Sequence, residues 1–416
     1  MKAVILAAGE GRRMRPLTFT RPKCMIPIAG KPILEHVVEG VKAAGVRDVM
    51  IVVKYMGEKV RAHFGDGRDF GVKISYAEQG AKYGTAAAFA SAKGFVDGEE
   101  FLGVAGDVVV DPGAIRKVVS AHSGKITMGL KAVDNPSKYG VVKLEKGRVT
   151  EFAEKPEKPE SDLVNTSIYC FGEGAMDALE GAPKTVRGEY EITGVIQSLA
   201  EKGQASGVEI GEYWMDVGMP WQFLDASGHI IGGMKAENRG EVENSTIKGK
   251  VVVEKGAKIF NSYVEGPAYI GRNSVVGPFV YIRPATAVGG NCSLSSGTTV
   301  KNSILMDGVN AKHLTYIGDS IVGENCNFGA GTQVANYKFD ASSVRMRVGE
   351  INYDTEKHKL GVVIGDNVKT GVLSCAMPGK TIGDGCWIGA GVVVNKDIGR
   401  NRKVFVKQEL EELDGG

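Results

Sequence analysis

No CxxC pair occurs among the six cysteines, which stand at 24, 170, 292, 326, 375 and 386. A zinc ribbon or a dithiol redox centre is thereby excluded, and scattered single thiols suit a reducing, cytoplasmic setting. No apolar run approaches the ~18 residues of a membrane-spanning helix. The chain opens directly on a core-like run, Ala3-Val4-Ile5, so no signal peptide is expected. Neither sign of charge dominates, with 51 Lys+Arg against 49 Asp+Glu and a net +2. A field that weak draws no chain to nucleic acid or to a membrane surface, so neither is an expected partner. The phosphate-binding pattern GxxxxGK[ST] is missing too, and GxGxxG is incomplete.

What is present begins at once, in LAAGEGRRMRPLTFTRPK (residues 6–23). Ala3-Val4-Ile5 reads as a buried strand. Gly9 and Gly11 break regular structure after it, which frees loop N–H groups to face a ligand. Arg12, Arg13, Arg15, Arg21 and Lys23 load the same stretch with cations. Backbone donors and guanidinium forks both match phosphate oxygens, so the loop suits a polyphosphate. A plain Gly-rich turn between strand and helix explains the glycines but not the cations.

Two patterns divide the 416 residues. Up to about residue 225 strands and helices alternate: a helix over 32–44, strands over 48–53 and 74–77, a small-residue helix over 86–92, and a strand over 101–105 ending at Gly106-Asp107. That alternation predicts a mostly parallel sheet with helices on both faces, and ligands at the carboxyl ends of its strands. From about 230 the period becomes six. Ile270, Val276, Ile282, Val288, Leu294 and Val300 form one series, Val322, Phe328 and Val334 a second, and Ile364, Thr370, Ala376, Ile382, Ile388 and Val394 a third. Neither a helix nor an ordinary alternating strand gives that period, and a hexapeptide parallel β-helix does. Much of the unusually abundant glycine, 58 residues, lies in this half. Cys292, Cys326 and Cys386 fall on its small interior position and read as apolar fillers. The repeat lapses over residues 336–361, where Tyr337, Phe339, Val344, Met346 and Val348 predict an ordered arm. The expected division is a domain over 1–228, a linker over 229–243 and a β-helix over 244–416.

The first stretch resembles the signature of sugar-phosphate nucleotidylyltransferases, L-A-A/G-G-x-G-x-R-[ML]-x-P-L-T followed by P-K. The resemblance implies a Rossmann-like domain that joins a sugar-1-phosphate oxygen to the α-phosphorus of UTP or dTTP and releases pyrophosphate. Leu6, Ala8, Gly9 and Gly11 would line the nucleotide, Arg15 would meet the β- and γ-phosphates, and Lys23 the reacting phosphates. Asp107, in FLGVAGD, follows an apolar strand, where a carboxylate is costly unless it holds a cation. Asp216, in YWMDVG, occupies the same kind of place, and the pair resembles the family's two Mg²⁺ ligands. Gln79 resembles the base-reading glutamine and Gly84-Thr85 its phosphate-loop pair. Gly140 after Tyr139, Glu154 before Lys155, and Asn165 before Thr166 resemble the sugar-contacting segments.

In the second half, NAKHLTYIGDSIVGENCNFGAGT closely resembles the acetyltransferase domain of bifunctional glucosamine-1-phosphate acetyltransferase / N-acetylglucosamine-1-phosphate uridylyltransferases. That resemblance implies a left-handed coil with His313 as general base, taking a proton from the amino group as it attacks the acetyl-CoA thioester. Arg283 and Lys301 would hold the sugar phosphate, with Tyr316 and Asn327 beside it. Asn336, Tyr337, Ala330 and Ala390 would meet acetyl-CoA, and a backbone N–H beside Ala330 would support the coenzyme or the oxyanion. The family's coenzyme-binding serine and C-terminal arginine have no counterpart, and the arm's length resembles archaeal versions. The family's coils pack as trimers, so a homotrimer is expected. The runner-up is a monofunctional nucleotidylyltransferase whose β-helix only regulates or oligomerises; a third reading is a catalytically dead sensor of sugar nucleotides. Uracil and thymine offer Gln79 the same edge, and glucosamine and galactosamine phosphates differ in one hydroxyl, so both pairs stay open.

Overall fold

The computed structural model describes residues 1–185 and 188–413. Its chain forms two compact units. Met1–Glu10, Arg21–Ile26 and Pro32–Val217 make the first; Gly11–Thr20, Pro27–Lys31 and everything from Gly218 onward make the second.

The first unit is built on a nine-stranded sheet. The opening strand, Lys2–Ala7, is central and pairs in parallel with Asp48–Val53 and with Phe101–Ala105. Side chains alternate across it, because successive residues of a strand point to opposite faces. Ala3, Ile5 and Ala7 pack with Leu34, Val37 and Val41 of the helix Ile33–Ala43. Val4 joins the opposite core with Ala86, Phe89 and Phe171, where Phe101 stacks on Phe171 at 4.5 Å. Helix on both faces is the layering the alternation predicts. The sheet itself is mixed. Leu163–Phe171 runs antiparallel to Phe101–Ala105 and to Ile126–Ala132. The hairpin Gly140–Glu145 to Arg148–Glu154 turns on Lys146 and Gly147, both left-handed at φ 49° and 81°. A two-residue turn of that hand joins antiparallel neighbours, which a βαβ crossover does not.

The second unit is a parallel β-helix with three sheets of eight, nine and eight strands. The six-residue series is distributed over these faces in rotation. Ile270, Val288, Leu305, Val322, Ile364 and Ile382 pair in succession up one face. Val264, Ile282, Val300, Ile317, Val334, Ala376 and Val394 climb another. The lapse after Val300 is filled by Leu305, Ala311 and Ile317, all at most 1% exposed, on coils one residue shorter than their predecessor. Residues 229–243, expected as a linker, are helix to Gly233 and coil strand from Glu237. The arm is an antiparallel hairpin, Arg345–Val348 against Ile351–Asp354, that buries Val344 and Met346. Lys357 Nζ anchors it to Asp225 of the helix Gln222–Gly233 at 2.7 Å. Among the described residues no helix is long and apolar enough to cross a membrane.

All six cysteines are free thiols, and five are buried. Those predicted as coil fillers are at most 1% exposed, and each gives its S–H to a carbonyl: Cys292 to Met306, Cys326 to Gly365, Cys386 to Gly399. Burial pushes Cys24 and Cys170 up to about 12 and Cys292 to about 11. A raised thiol stays protonated, and the thiol form is a poor nucleophile. Iodoacetamide at pH ~8 is therefore expected to modify Cys375 first and the rest only on unfolding. Mass spectrometry of the native protein showing Cys24 or Cys170 modified as fast as Cys375 contradicts this packing.

Candidate functional site

The strand Phe101–Ala105 delivers Asp107 through Gly106, whose N–H donates to the Leu6 carbonyl at 2.8 Å. A Cβ on Gly106 would lie 2.8 Å from that same oxygen, so only glycine lets the two strand ends close up. The chain continues as Val108–Val110, which pairs antiparallel with Trp214–Asp216 and sets Asp216 opposite Val108. Two carboxylates far apart in sequence thus share one strand end. Lys23 Nζ lies 2.7 Å from Asp107 Oδ2 and 3.6 Å from Asp216 Oδ1. The lysine side chain is 10% exposed and the carboxylates 36% and 40%. One ammonium leaves this group with a net negative charge at a mouth open to solvent. Its hard oxygen donors suit Mg²⁺ with phosphate completing the shell.

The other expected contacts of this unit lie on further strands and loops. Tyr139 packs edge-on to Trp214 at 5.7 Å, and burial, then the Asp216 charge, raises its phenol. Gly140 is opposite Glu154 in the hairpin. Asn165 spends its amide on its own strand: Nδ2 donates to the Tyr169 hydroxyl at 2.6 Å and Oδ1 accepts from the Ser167 N–H at 3.0 Å. Burial pushes Tyr169 up to about 12, so it stays a neutral partner for that amide. Gln79 is 7% exposed, and its Nε2 donates to the carbonyls of Lys82 and Gly84 at 3.2 and 3.1 Å. It therefore shapes the 80–84 loop as well as facing it. The Thr85 hydroxyl accepts from the Ile192 N–H at 2.9 Å. Above Gly9 the space a side chain would take is open.

Gly11 and Arg15 belong to Gly11–Thr20 and group with the second unit. There Gly11 is left-handed, its carbonyl accepts the Thr18 hydroxyl at 2.9 Å, and the Arg15 guanidinium lies 5.0 Å from the Phe19 ring centre. The Thr20 hydroxyl donates to Asp366 at 2.6 Å.

His313 is exposed at a corner between Asn310–Ala311 and Tyr316–Gly318. Its carbonyl accepts the Gly331 N–H and the Thr315 hydroxyl, both at 3.0 Å, which fixes the backbone and leaves the ring outward. Asn336 Nδ2 donates to the Tyr316 hydroxyl at 3.2 Å, joining two residues assigned from separate motifs. Lys301 is in register with Gly318, one coil on. Asn327 shares a ladder with Asn310 and Lys369. The Arg283 guanidinium lies 5.8 Å from the Tyr281 ring centre. Tyr337 is 51% exposed at the root of the arm, with Lys359 Nζ 5.9 Å from its ring centre. Ala330 accepts from the Leu373 N–H, and Ala390 is exposed on a later coil.

One expectation is corrected. The N–H groups flanking Ala330 are not donors waiting for a ligand: that of Gly329 donates to Thr370 and that of Gly331 to His313. Coil stacking consumes them. The largest omission is Asp319, a buried carboxylate accepting from Lys301 and Asn302. Its signal was an acid inside the apolar run TYIGDSIV.

The Nucleotidyl transferase family matches residues 2–232. The GMPPB C-terminal domain matches residues 264–375, and the hexapeptide repeat of succinyl-transferase residues 361–396. The "Bifunctional protein GlmU" of Methanocaldococcus jannaschii is 41% identical over 99% of this chain and 98% of its own length. A "Bifunctional sugar-1-phosphate nucleotidylyltransferase/acetyltransferase" of Sulfurisphaera tokodaii is 36% identical over 96% of this chain and 98% of its own. A solved Bacillus anthracis protein, provisionally named a glucose-1-phosphate thymidylyltransferase and determined in complex with a sucrose, matches with TM-score 0.52 at 27% identity. It covers 57% of this chain and 98% of that one.

Gly84 offers a sharp test of the 80–84 loop. It has φ 124° and ψ 164°, and an added Cβ would sit 2.3 Å from the Tyr190 carbonyl oxygen. That backbone region is open only to glycine, at about 1–3 kcal/mol for other residues. Gly84→Ala is expected to weaken UTP or dTTP binding by roughly tenfold to a hundredfold. Unchanged affinity by calorimetric titration would show that the loop plays no part in nucleotide binding.

Proposed function

The chain belongs to the nucleotidyl transferase family, with a left-handed hexapeptide β-helix as its second half, and on that premise we propose that it makes UDP-N-acetylglucosamine in two steps. It is a bifunctional sugar-1-phosphate nucleotidylyltransferase and acetyltransferase, in line with relatives similar over nearly its whole length. The first step acetylates glucosamine-1-phosphate with acetyl-CoA; the second transfers a uridylyl group from UTP to the product.

In acetyl transfer, the free amine attacks the thioester carbonyl, a C–N bond forms, and the C–S bond breaks to release coenzyme A. His313 takes the amine's proton, a role that needs an accessible imidazole, and the ring is exposed. Lys301 and Arg283 hold the acceptor's phosphate, with Tyr316 and Asn327 beside the sugar. Asn336, Tyr337, Ala330 and Ala390 serve the coenzyme. The observation that supports this half is the Asn336–Tyr316 hydrogen bond, which joins a residue read as meeting the coenzyme to one read as meeting the acceptor.

In nucleotidyl transfer, a sugar phosphate oxygen attacks the α-phosphorus and pyrophosphate leaves. Asp107 and Asp216 would hold Mg²⁺, which when bound supplies positive charge to the phosphates. Lys23, already between the carboxylates, neutralises the reacting phosphates, and Arg15 the departing ones. The loop around Gln79 and Gly84 receives the base, Leu6, Ala8, Gly9 and Gly11 approach the nucleotide, and Thr85, Gly140, Glu154 and Asn165 complete the substrate surround. Association as a homotrimer through the β-helix would cover Phe279, Leu314 and Leu373, corner residues 73%, 67% and 73% exposed.

The match to the GMPPB C-terminal domain favours a second reading, in which the β-helix is a scaffold beside a single nucleotidylyltransferase. Thiol release from acetyl-CoA with glucosamine-1-phosphate, without nucleotide, separates the two. Release is expected, to vanish in His313→Ala while pyrophosphate release from UTP and N-acetylglucosamine-1-phosphate persists. Asp107→Asn should do the reverse. No thiol release alongside normal pyrophosphate release would favour the scaffold, and equal loss of both activities in either variant would refute separate sites.

A further inference from the structure

Asp319 is 2% exposed, yet it carries a carboxylate in the apolar run between the coil strands Tyr316–Gly318 and Ile321–Val322. A buried charge is tolerated only with partners, and this one has three donors. Lys301 Nζ approaches Oδ2 at 3.1 Å and Oδ1 at 3.4 Å. Asn302 Nδ2 donates to Oδ1 at 2.7 Å, and Asn336 Nδ2 donates to Oδ2. The backbone is tied down as well: the Asp319 N–H donates to the Lys301 carbonyl and its carbonyl accepts from Gly361, both at 2.8 Å. At φ 49° the residue occupies the left-handed region, which short polar side chains tolerate.

The donors come from three places in the chain. Lys301 lies on one coil and Asn336 where the arm departs, while Gly361 closes the arm's return. The Lys301 side chain is 20% exposed, so its ammonium is paired with Asp319 while part of the side chain meets solvent. Asn336 passes the constraint on, since the same Nδ2 reaches the Tyr316 hydroxyl at 3.2 Å.

We propose that Asp319 is a positioning residue for acetyl transfer, its buried carboxylate holding the acceptor-side Lys301 and the coenzyme-side Asn336 in one fixed relation. It touches neither substrate. It aims the Lys301 charge at the acceptor phosphate and fixes which face Asn336 and Tyr316 present. This inference rests on the acetyl-transfer reading above.

Asp319→Asn tests it, because asparagine keeps the size and the left-handed backbone while removing the charge. Displacing a substrate-orienting group by about an ångström costs up to roughly a hundredfold in rate. The variant is expected to raise KM for both glucosamine-1-phosphate and acetyl-CoA, with kcat/KM lower by about tenfold to a hundredfold and pyrophosphate release unaltered. Lys301→Met should raise KM for the acceptor alone. The double variant Lys301→Met/Asp319→Asn removes both charges, so it folds even where a lone ammonium would not, and it should still show the raised KM for acetyl-CoA. Acetyl-transfer constants within about twofold of the unaltered protein in Asp319→Asn overturn the proposal. So does an acetyl-CoA KM in the double variant equal to that of Lys301→Met, or joint loss of both activities with a lowered melting temperature in both Asp319 variants. Absence of thiol release from the unaltered protein is a different failure, that of the acetyl-transfer reading itself.

Discussion

Each candidate site contains a lysine–aspartate pair with one sheltered member, and the pairs are mirror images in exposure. At the strand end of the first unit Lys23 is the sheltered member, 10% exposed, and Asp107 the open one, 36%. In the β-helix the Asp319 side chain is the sheltered member, 3% exposed, and that of Lys301 the open one, 20%. The buried partner steadies the other while the exposed partner keeps capacity for a ligand. An exposed carboxylate steadied by lysine can accept a hard cation, whereas an exposed ammonium steadied by aspartate can accept an anion. The same two residue types, inverted in burial, thus leave a carboxylate outermost in one unit and a lysine outermost in the other.

The rest of each half holds these pairs in place. In the sheet, Gly106 lets two strand ends approach closely enough for Asp107 to emerge at the mouth, and the short antiparallel pairing brings Asp216 beside it. In the β-helix, parallel registration turns sequence separation into distance: residues one coil apart sit one strand spacing apart, roughly 4.8 Å. Lys301 opposite Gly318 and Tyr316 opposite Gln333 are positions on such a ladder. The missing side chain at Gly318 matters too, since a Cβ there would lie 2.6 Å from both Asn336 Nδ2 and the Tyr316 hydroxyl.

Much of the architecture was legible because it is periodic. Six-residue spacing has one structural solution, and Ile270 through Val300 march around the three faces as that solution requires. The spacing shifts phase where a coil lost one residue, although Leu305, Ala311 and Ile317 continue the stack unbroken. The antiparallel half of the first sheet was not read, since buried strands look alike whichever way they run. The arm was read as ordered from its apolar content, and Val344 and Met346 do carry it inward.

The sequence by itself determined which chemistries were available. Phosphates call for cations and glycine loops, a thioester attack calls for a base, and Arg15, Lys23, Asp107, Asp216 and His313 stand in motifs long enough to mark them. Only the tertiary structure decided how those groups are spent. Each amide or carboxylate has a fixed number of hydrogen bonds to make, and coil stacking claims the N–H groups of Gly329 and Gly331 just as the carbonyls of Lys82 and Gly84 claim Gln79. Asp319 gathers Lys301, Asn302 and Asn336 because two separate segments, 301–302 and the root of the arm, fold against one carboxylate, a convergence that no local spacing encodes.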